Sequence, residues 1–508
     1  MSTPTALAEA QTLAELISSA PSDVTAVILP EANIRVTYGQ FREQVQTMAD
    51  ALYALGIRPG DRVATSLTNG IPAIVSFLAA SFAGTAAPLN PGYRQDEVNF
   101  YLEDTSAKIL LVPGEGMDDA KAAAKERGVP TYVIETDDAG FCRIAGVSPN
   151  GHKAAAPSPE AVALVLHTSG STGRPKRVPI QHKNMAASAR NIVATYDLTA
   201  NDVALCVMPL FHVHGLVAST ISTLSSGGTL VVPSKFNALS FWRTVRDFNV
   251  TWYSAVPTIH SMLLTRAGDE RPQGSEGLRF IRSCSAALPA EMMAKMESIF
   301  GAPVLEAYGM TEASHQMASN PLPPHDHKGG SVGKATGIQI GIMDGDLNLV
   351  AQGTRGEVVI MGPNVVDGYE NNPDANATSY KDGWFRTGDQ GYLDEHGYLF
   401  LTGRLKEMIN RGGEKIGPRE IDEALLLHPA VAEAVAFGVP HKSWGEEVAA
   451  AVTLKEGEAA TEADILAFCK ERLADFKRPK KIYIVEKIPR TATGKIQRGA
   501  VAKALTEN

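Results

Sequence analysis

Thr168-Ser169-Gly170-Ser171-Thr172-Gly173-Arg174-Pro175-Lys176 follows directly on the apolar run Ala163–His167. A short apolar run closed by such a stretch reads as a buried strand running into a loop. Two glycines and four hydroxyl residues let backbone amides and hydroxyls surround phosphate oxygens without side-chain obstruction. Lys176 supplies a positive charge. The GxxxxGK[ST] spacing is absent, so this is not a Walker A loop. A flexible Ser/Gly turn has the same composition.

Outward from this loop the same texture repeats. Val63–Ser66, Ile109–Val112, Ala204–Met208, Thr229–Val232, Thr251–Ser254, Phe280–Ser283 and Val304–Ala307 are short, largely apolar runs separated by Ala-rich stretches. Several are apolar throughout, which suits strands covered by helices on both faces. The alternation predicts an α/β fold with largely parallel sheets. Two stretches with no Asp, Glu, Lys or Arg, Val63–Tyr93 and Val203–Ser234, are broken by Pro72, Gly84, Pro88, Pro209, Gly215 and Gly227-Gly228. Their apolar pieces fall short of the ~20 residues that a bilayer requires and read as buried strand–helix–strand units.

From about residue 340 the pattern changes. Glu357–Met361 and Tyr398–Thr402 predict strands joined by tight turns, a small β-rich subdomain. Beyond Gly403 come a helix (Pro418–Leu427), strands (Ala434–Phe437 and Glu447–Leu454), a helix (Glu462–Leu473) and a strand (Lys481–Val485). The boundary falls at Gly403–Lys406, which divides the chain into residues 1–403 and 404–508. A length of 508 residues allows one large and one small domain, or three of ordinary size.

Composition narrows the function classes. Lys+Arg 47 against Asp+Glu 56 gives a net charge of −9, the wrong sign for a nucleic-acid binder. The four cysteines are far apart, which argues against a zinc ribbon or a disulfide framework. No basic residue precedes Arg35 and the last three residues are no peroxisomal signal, so the cytoplasm is the expected location.

Four further segments complete the pattern: Ala307-Tyr308-Gly309-Met310-Thr311-Glu312, Phe385-Arg386-Thr387-Gly388-Asp389, Gly403-Arg404-Leu405-Lys406, and Pro489-Arg490-Thr491-Ala492-Thr493-Gly494-Lys495-Ile496-Gln497-Arg498. Together with the 168–176 loop they resemble, in order, the motifs of the acyl-adenylate-forming superfamily, which includes acyl-CoA synthetases and firefly luciferase. Arg177 departs from that pattern, where the loop usually has Gly. The resemblance implies a large N-terminal domain of parallel sheets and helices and a small, mobile α+β C-terminal domain.

It also implies chemistry. A carboxylate attacks the α-phosphorus of ATP, and the site must offset the repulsion between two anions. Glu312 would help hold Mg²⁺; Thr168, Ser169, Gly170, Ser171, Thr172, Gly173, Lys176 and Thr311 would surround the phosphates. Ser285, Ala286, Ala287, Glu306, Ala307, Tyr308 and Gly309 would line the nucleotide site, with Tyr308 stacked on adenine. Asp389 would accept from the ribose with Arg404 nearby, and Lys495 would reach the carboxylate and the α-phosphate. Lys406 would be the hinge for a second step, in which Gly412 and Gly413 let coenzyme A approach. Taken singly, Asp389 would also suit a turn, Glu312 a helix N-terminus and Lys495 a solvated tail.

The acid-binding stretches contain His212, His214, His260, Arg282, Ser283, Ser285 and His315. An acyl or aryl pocket is mostly apolar, whereas these groups suit a small, doubly charged acid. If the segment holding His212 and His214 is extended, the two share one face; either also suits a core or a nucleotide contact. Met208–Leu216, Arg279–Ser285, Glu312–Met317 and Ile409–Ile416 resemble the oxalate–CoA ligase branch of the superfamily, which implies oxalate as the acid, with His212, Ser285 and His315 as its main contacts. A medium-chain fatty acid, a hydroxycinnamate and malonate are the alternative acids. A luciferase-like oxidation and a non-catalytic nucleotide binder are the alternative activities.

Overall fold

The apolar runs form strands in the computed structural model, which describes residues 5–168, 175–490 and 496–506. The chain divides into two compact units: Met1–Gln339 with Met361–Gly383, and Ile340–Ile360 with Trp384–Asn508. The second unit therefore takes in 340–360 and 384–403 beside the segment after 404.

Among the described residues the first unit holds two large sheets. One has nine strands, and its interior runs parallel through Val304–Met310, Phe280–Ser283, Trp252–Ala255, Val203–Cys206, Thr229–Val231 and Thr25–Leu29. Antiparallel strands His315–Ser319 and Ile34–Thr37 flank this interior. The other has seven strands; Ile109–Pro113, Arg62–Thr65, Thr85–Pro88 and Val162–Thr168 run parallel at its centre, and Lys176–Gln181 is antiparallel at one edge. Interior strands carry Val, Ile, Leu and Ala because helices cover both faces. The cluster of Leu205, Tyr253, Ile281, Leu263, Met296 and Phe300 packs the nine-stranded sheet against its helices, with each of these residues at most 1 % exposed.

Both stretches without those four charged types are strand–helix–strand units. Arg62–Thr65, helix Ile71–Ala83 and Thr85–Pro88 form one; Val203–Cys206, the helical segments His214–Ile221 and Ser222–Ser225, and Thr229–Val231 form the other. Among the described residues no helix is long and apolar enough to cross a membrane.

The second unit contains antiparallel Gly356–Met361, Trp384–Leu393 and Leu399–Arg404. It also contains a five-stranded sheet built on the long hairpin of Val431–His441 and Gly445–Leu454, with Lys481–Ile484 parallel to the latter. Helices Pro418–Leu426 and Glu462–Lys470 bury Ile421, Leu425, Ile465 and Cys469 against that sheet.

A buried histidine ties the N-terminal segment to the first unit. His182 Nδ1 accepts from the Leu13 amide at 3.3 Å, and Nε2 donates to the Ser81 carbonyl at 3.0 Å. A second ring proton would face the Leu13 N–H, so the folded chain holds the ring neutral; burial pushes its pKa down to about 4. The unfolded chain then binds the extra proton first, and stability falls as pH drops from about 6.5 towards 4, by up to about 3 kcal/mol for this residue. Urea unfolding of His182→Gln should show a shallower loss over that window than the wild-type chain. Equal slopes would contradict the assignment.

Candidate active site

Parallel α/β sheets place ligands at the carboxyl ends of their strands, and in the first unit Thr168 and Thr311-Glu312 stand at such ends. Thr168 ends Val162–Thr168 and pairs with Lys176 at the start of the antiparallel partner. Ser169, Gly170, Ser171, Thr172 and Gly173, between them in sequence, lie outside the described residues, as does Lys495.

Arg177, the departure from the superfamily pattern, anchors the base of this hairpin. Its guanidinium donates to the Asp104 carbonyl, and its Nε lies 3.4 Å from the Asp104 carboxylate and 3.7 Å from that of Glu370. Glu370 also pairs with Arg62 at 2.5 Å, and His167 lies 2.9 Å from Asp104. A glycine there could make none of these side-chain contacts.

Glu312 lies in a one-turn 3₁₀ segment, Thr311–Ala313, directly after Val304–Met310. It is 5 % exposed, and its Oε1 accepts from the Tyr369 hydroxyl at 2.8 Å. Its backbone carbonyl accepts from the Val366 amide at 2.9 Å. Lys176 Nζ stands 4.4 Å from the centre of the Tyr369 ring. Tyr369 thus links the lysine to the carboxylate, a role not read from sequence because a lone Gly-Tyr in a loop carries no motif. Its own hydroxyl is held protonated, since burial and Glu312 both raise its pKa.

Two features aim His315. Gly309 pairs beside it across a β-bulge, and a Cβ there would lie 2.1 Å from the His315 carbonyl oxygen, so only glycine lets the strands approach. Ser314 and His315 both have positive φ, 50° and 111°, which turns the chain back into His315–Ser319. Asn364 Nδ2 pins the turn by donating to the Ala313 and Gln316 carbonyls.

The segment around His212 is not extended. His212 sits in a bend and His214 begins a π-helix, His214–Ile221, so the two do not share a strand face. The reason is packing: Gly215 is pressed against Pro209, where a Cβ would lie 2.2 Å from the Pro209 carbonyl oxygen. π-Helical turns recur at functional sites. The His214 amide donates to His212 Nδ1 at 3.3 Å.

His214, His315 and Ser285 form one cluster. His214 Nδ1 lies 3.0 Å from Ser285 Oγ, and its Nε2 lies 2.6 Å from Ser254 Oγ. The His214 and His315 rings are 5.2 Å apart. Ser285 has φ 72°, a strained backbone for a non-glycine residue. Burial first, then Arg282, His212 and His260, hold the His214 pKa well below the usual imidazole range. His315 is lowered likewise by burial, Arg282, His214 and His212. His260 is fully buried on Pro257–Ala267, 5.7 Å from the Tyr253 ring, and burial pushes its pKa down to about 3.

Behind this cluster stands Arg282, fully buried in Phe280–Ser283. It donates from Nε to Tyr196 Oη at 2.9 Å, from Nη1 to Ser254 Oγ at 2.9 Å and from Nη2 to Gln316 Oε1 at 3.0 Å. His214 Nε2 and His315 Nδ1 lie 3.5 and 3.4 Å from its nitrogens. No carboxylate pairs with it among the described residues.

Residues 285–287 and 306–308 are neighbours at one end of the nine-stranded sheet. Ser283 is in register with Glu306, and Glu306 Oε1 accepts from the Leu288 amide at 3.0 Å, closing the Ser285-Ala286-Ala287 loop onto the Glu306-Ala307-Tyr308 strand. Glu306 is 1 % and Tyr308 9 % exposed. In the second unit, Asp389 is 7 % exposed and pairs with Arg404 Nε at 3.0 Å. Lys406 lies in a 3₁₀ turn, Leu405–Glu407. Gly412 and Gly413, at φ 61° and 96°, form the two-residue turn of the hairpin Ile409–Arg411 and Glu414–Ile416.

Among the described residues no group of three or more His, Cys, Asp or Glu could hold a metal ion. Mg²⁺ needs no such cage when phosphates supply most of its oxygens; one or two carboxylates suffice. Glu312 supplies one such carboxylate.

Residues 15–370 match the family model described as AMP-binding enzyme, and residues 420–495 match the AMP-binding enzyme C-terminal domain. An oxalate–CoA ligase from Arabidopsis thaliana is 46% identical, covering 93% of this chain and 94% of its own. One from Saccharomyces cerevisiae is 43% identical, covering 96% of each. ATP-bound MatB from Rhodopseudomonas palustris superposes with a TM-score of 0.89 at 30% identity, over 97% of this chain and 98% of that one.

Proposed function

We propose oxalate as the acid substrate of this chain, which belongs to the AMP-binding enzyme family and is an AMP-forming CoA ligase using ATP, Mg²⁺ and coenzyme A. One oxalate carboxylate oxygen bonds to the α-phosphorus of ATP and pyrophosphate leaves, giving oxalyl-AMP. The thiol of coenzyme A then bonds to the acyl carbon, loses its proton, and AMP leaves. The product is oxalyl-CoA.

The observation that carries the acid assignment is the wall made by Ser285, His214 and His315. Where a fatty or aromatic acid calls for an apolar lining, this chain has a hydroxyl and two imidazoles beside a buried guanidinium. Oxalate keeps a second negative charge while the first carboxylate attacks phosphate. Burying that charge without donors would cost several kcal/mol.

Glu312 holds Mg²⁺, which when bound offsets charge on the phosphate oxygens. Thr168, Lys176, Thr311 and the 169–173 loop bind the phosphates; Tyr308 stacks on adenine. Asp389 accepts from the ribose hydroxyls, Lys495 draws the attacking carboxylate to the α-phosphate, and Gly412-Gly413 lies along the path of coenzyme A. His212, His315 and Ser285 contact the acid, with His214 behind Ser285.

Mass spectrometry of a reaction containing ATP, Mg²⁺, coenzyme A and oxalate should find oxalyl-CoA with AMP and pyrophosphate in equal amounts. ADP and phosphate, or a thioester that forms only with other acids, would refute the assignment.

A further inference from the structure

We propose that Arg282 is the residue that sets acid specificity, acting as a positioning residue: its guanidinium orients two hydrogen-bond branches so that the Ser285 hydroxyl and His315 Nε2–H both donate to the acid's second carboxylate. This rests on the reading of the acid as a small dianion, and adds to it a source of positive charge that does not itself touch the substrate.

The direction of each bond follows from donor counting. Arginine has five N–H donors and no acceptor, so every group facing the guanidinium must accept. Ser254 Oγ accepts from Nη1 at 2.9 Å. Its own proton therefore goes to His214 Nε2, 2.6 Å away, because Ser254 meets no other acceptor among the described residues. Nη1 also faces that nitrogen at 3.5 Å, which again requires a lone pair there. With Nε2 accepting, neutral His214 carries its proton on Nδ1 and donates it to Ser285 Oγ at 3.0 Å. The Ser285 proton is then left for a ligand.

The second branch is shorter. Nη2 faces His315 Nδ1 at 3.4 Å, so Nδ1 accepts and Nε2 carries the proton. Nε2 has no partner among the described residues. Both branches begin at a fixed cation and end in a donor. The neighbouring titratable groups are His212, His260, Tyr196 and Cys284, and no carboxylate is among them. A buried guanidinium with no carboxylate partner is costly. A bound dianion one residue away would offset that cost and a neutral acid tail would not.

Oxamate tests this, because it matches oxalate in shape but carries an uncharged amide in place of the second carboxylate. In Arg282→Gln the ratio of kcat/KM for oxalate over oxamate should fall at least about tenfold, through the oxalate KM, with the ATP KM within about twofold of wild type. Arg282→Lys should recover part of the ratio. Gln316→Glu keeps the shape of the site and sets a carboxylate against Nη2, so it should lower the ratio with Arg282 still present. It carries the test if Arg282→Gln does not fold. An unchanged ratio in Gln316→Glu, or a loss in Arg282→Gln equal for both acids, would overturn the proposal. If the wild-type chain ignores oxalate but uses malonate, only the oxalate assignment fails, and the same ratio is read for malonate over malonamate. A wild-type chain confined to monocarboxylates overturns both.

Discussion

Glu312→Gln should lower kcat/KM for adenylate formation by about a thousandfold while leaving the fold intact. The substitution keeps the shape of the side chain, and its amide oxygen still accepts from the Tyr369 hydroxyl, 2.8 Å from Oε1. The backbone carbonyl of residue 312 still accepts from Val366. What is removed is one negative charge in a site that is 5 % exposed. Activity lost with thermal unfolding unchanged would therefore report the charge itself, and raising the Mg²⁺ concentration should recover part of it. A loss below about tenfold, insensitive to Mg²⁺, would make Glu312 the acid that only closes the turn after Val304–Met310.

His315→Ala should raise the KM for oxalate by about 10- to 100-fold, the range for losing a hydrogen bond to a charged group. The KM for ATP should stay nearly unchanged. His315 is 2 % exposed and its Nδ1 faces Arg282. Removing the ring deletes a donor from the acid side and leaves the Glu306–Tyr308 strand and its loop in place. Equal rises in both constants would make His315 a nucleotide contact or a structural residue. Steady-state kinetics with each substrate varied in turn separate the two.

Much of the first unit was legible because its strands are buried on both faces and so read as unbroken apolar runs; Phe280–Ser283 was read to the residue. In the candidate site, Thr311-Glu312 and Thr387-Gly388-Asp389 stand out through the resemblance of their motifs, since each alone also suits a turn or a helix start. The site was less legible where packing decides. His212-Val213-His214 alternates as a strand would, yet Gly215 against the Pro209 carbonyl turns it into a bend and a π-helix. Arg282 read as one polar residue among several. That it is fully buried, without a carboxylate partner, depends on Tyr196, Ser254 and Gln316, which come from three distant segments. Tyr369 likewise gains its meaning only when Lys176 and Glu312 are brought to it.

Acid specificity is read most directly from pyrophosphate release, with and without coenzyme A, across oxalate, malonate, acetate, octanoate and 4-coumarate. Release with oxalate should exceed that with every other acid and reach full turnover only when coenzyme A is present. Release with octanoate or 4-coumarate and none with oxalate would contradict the oxalate assignment, and would mean that His214, His315 and Arg282 serve the core or the nucleotide.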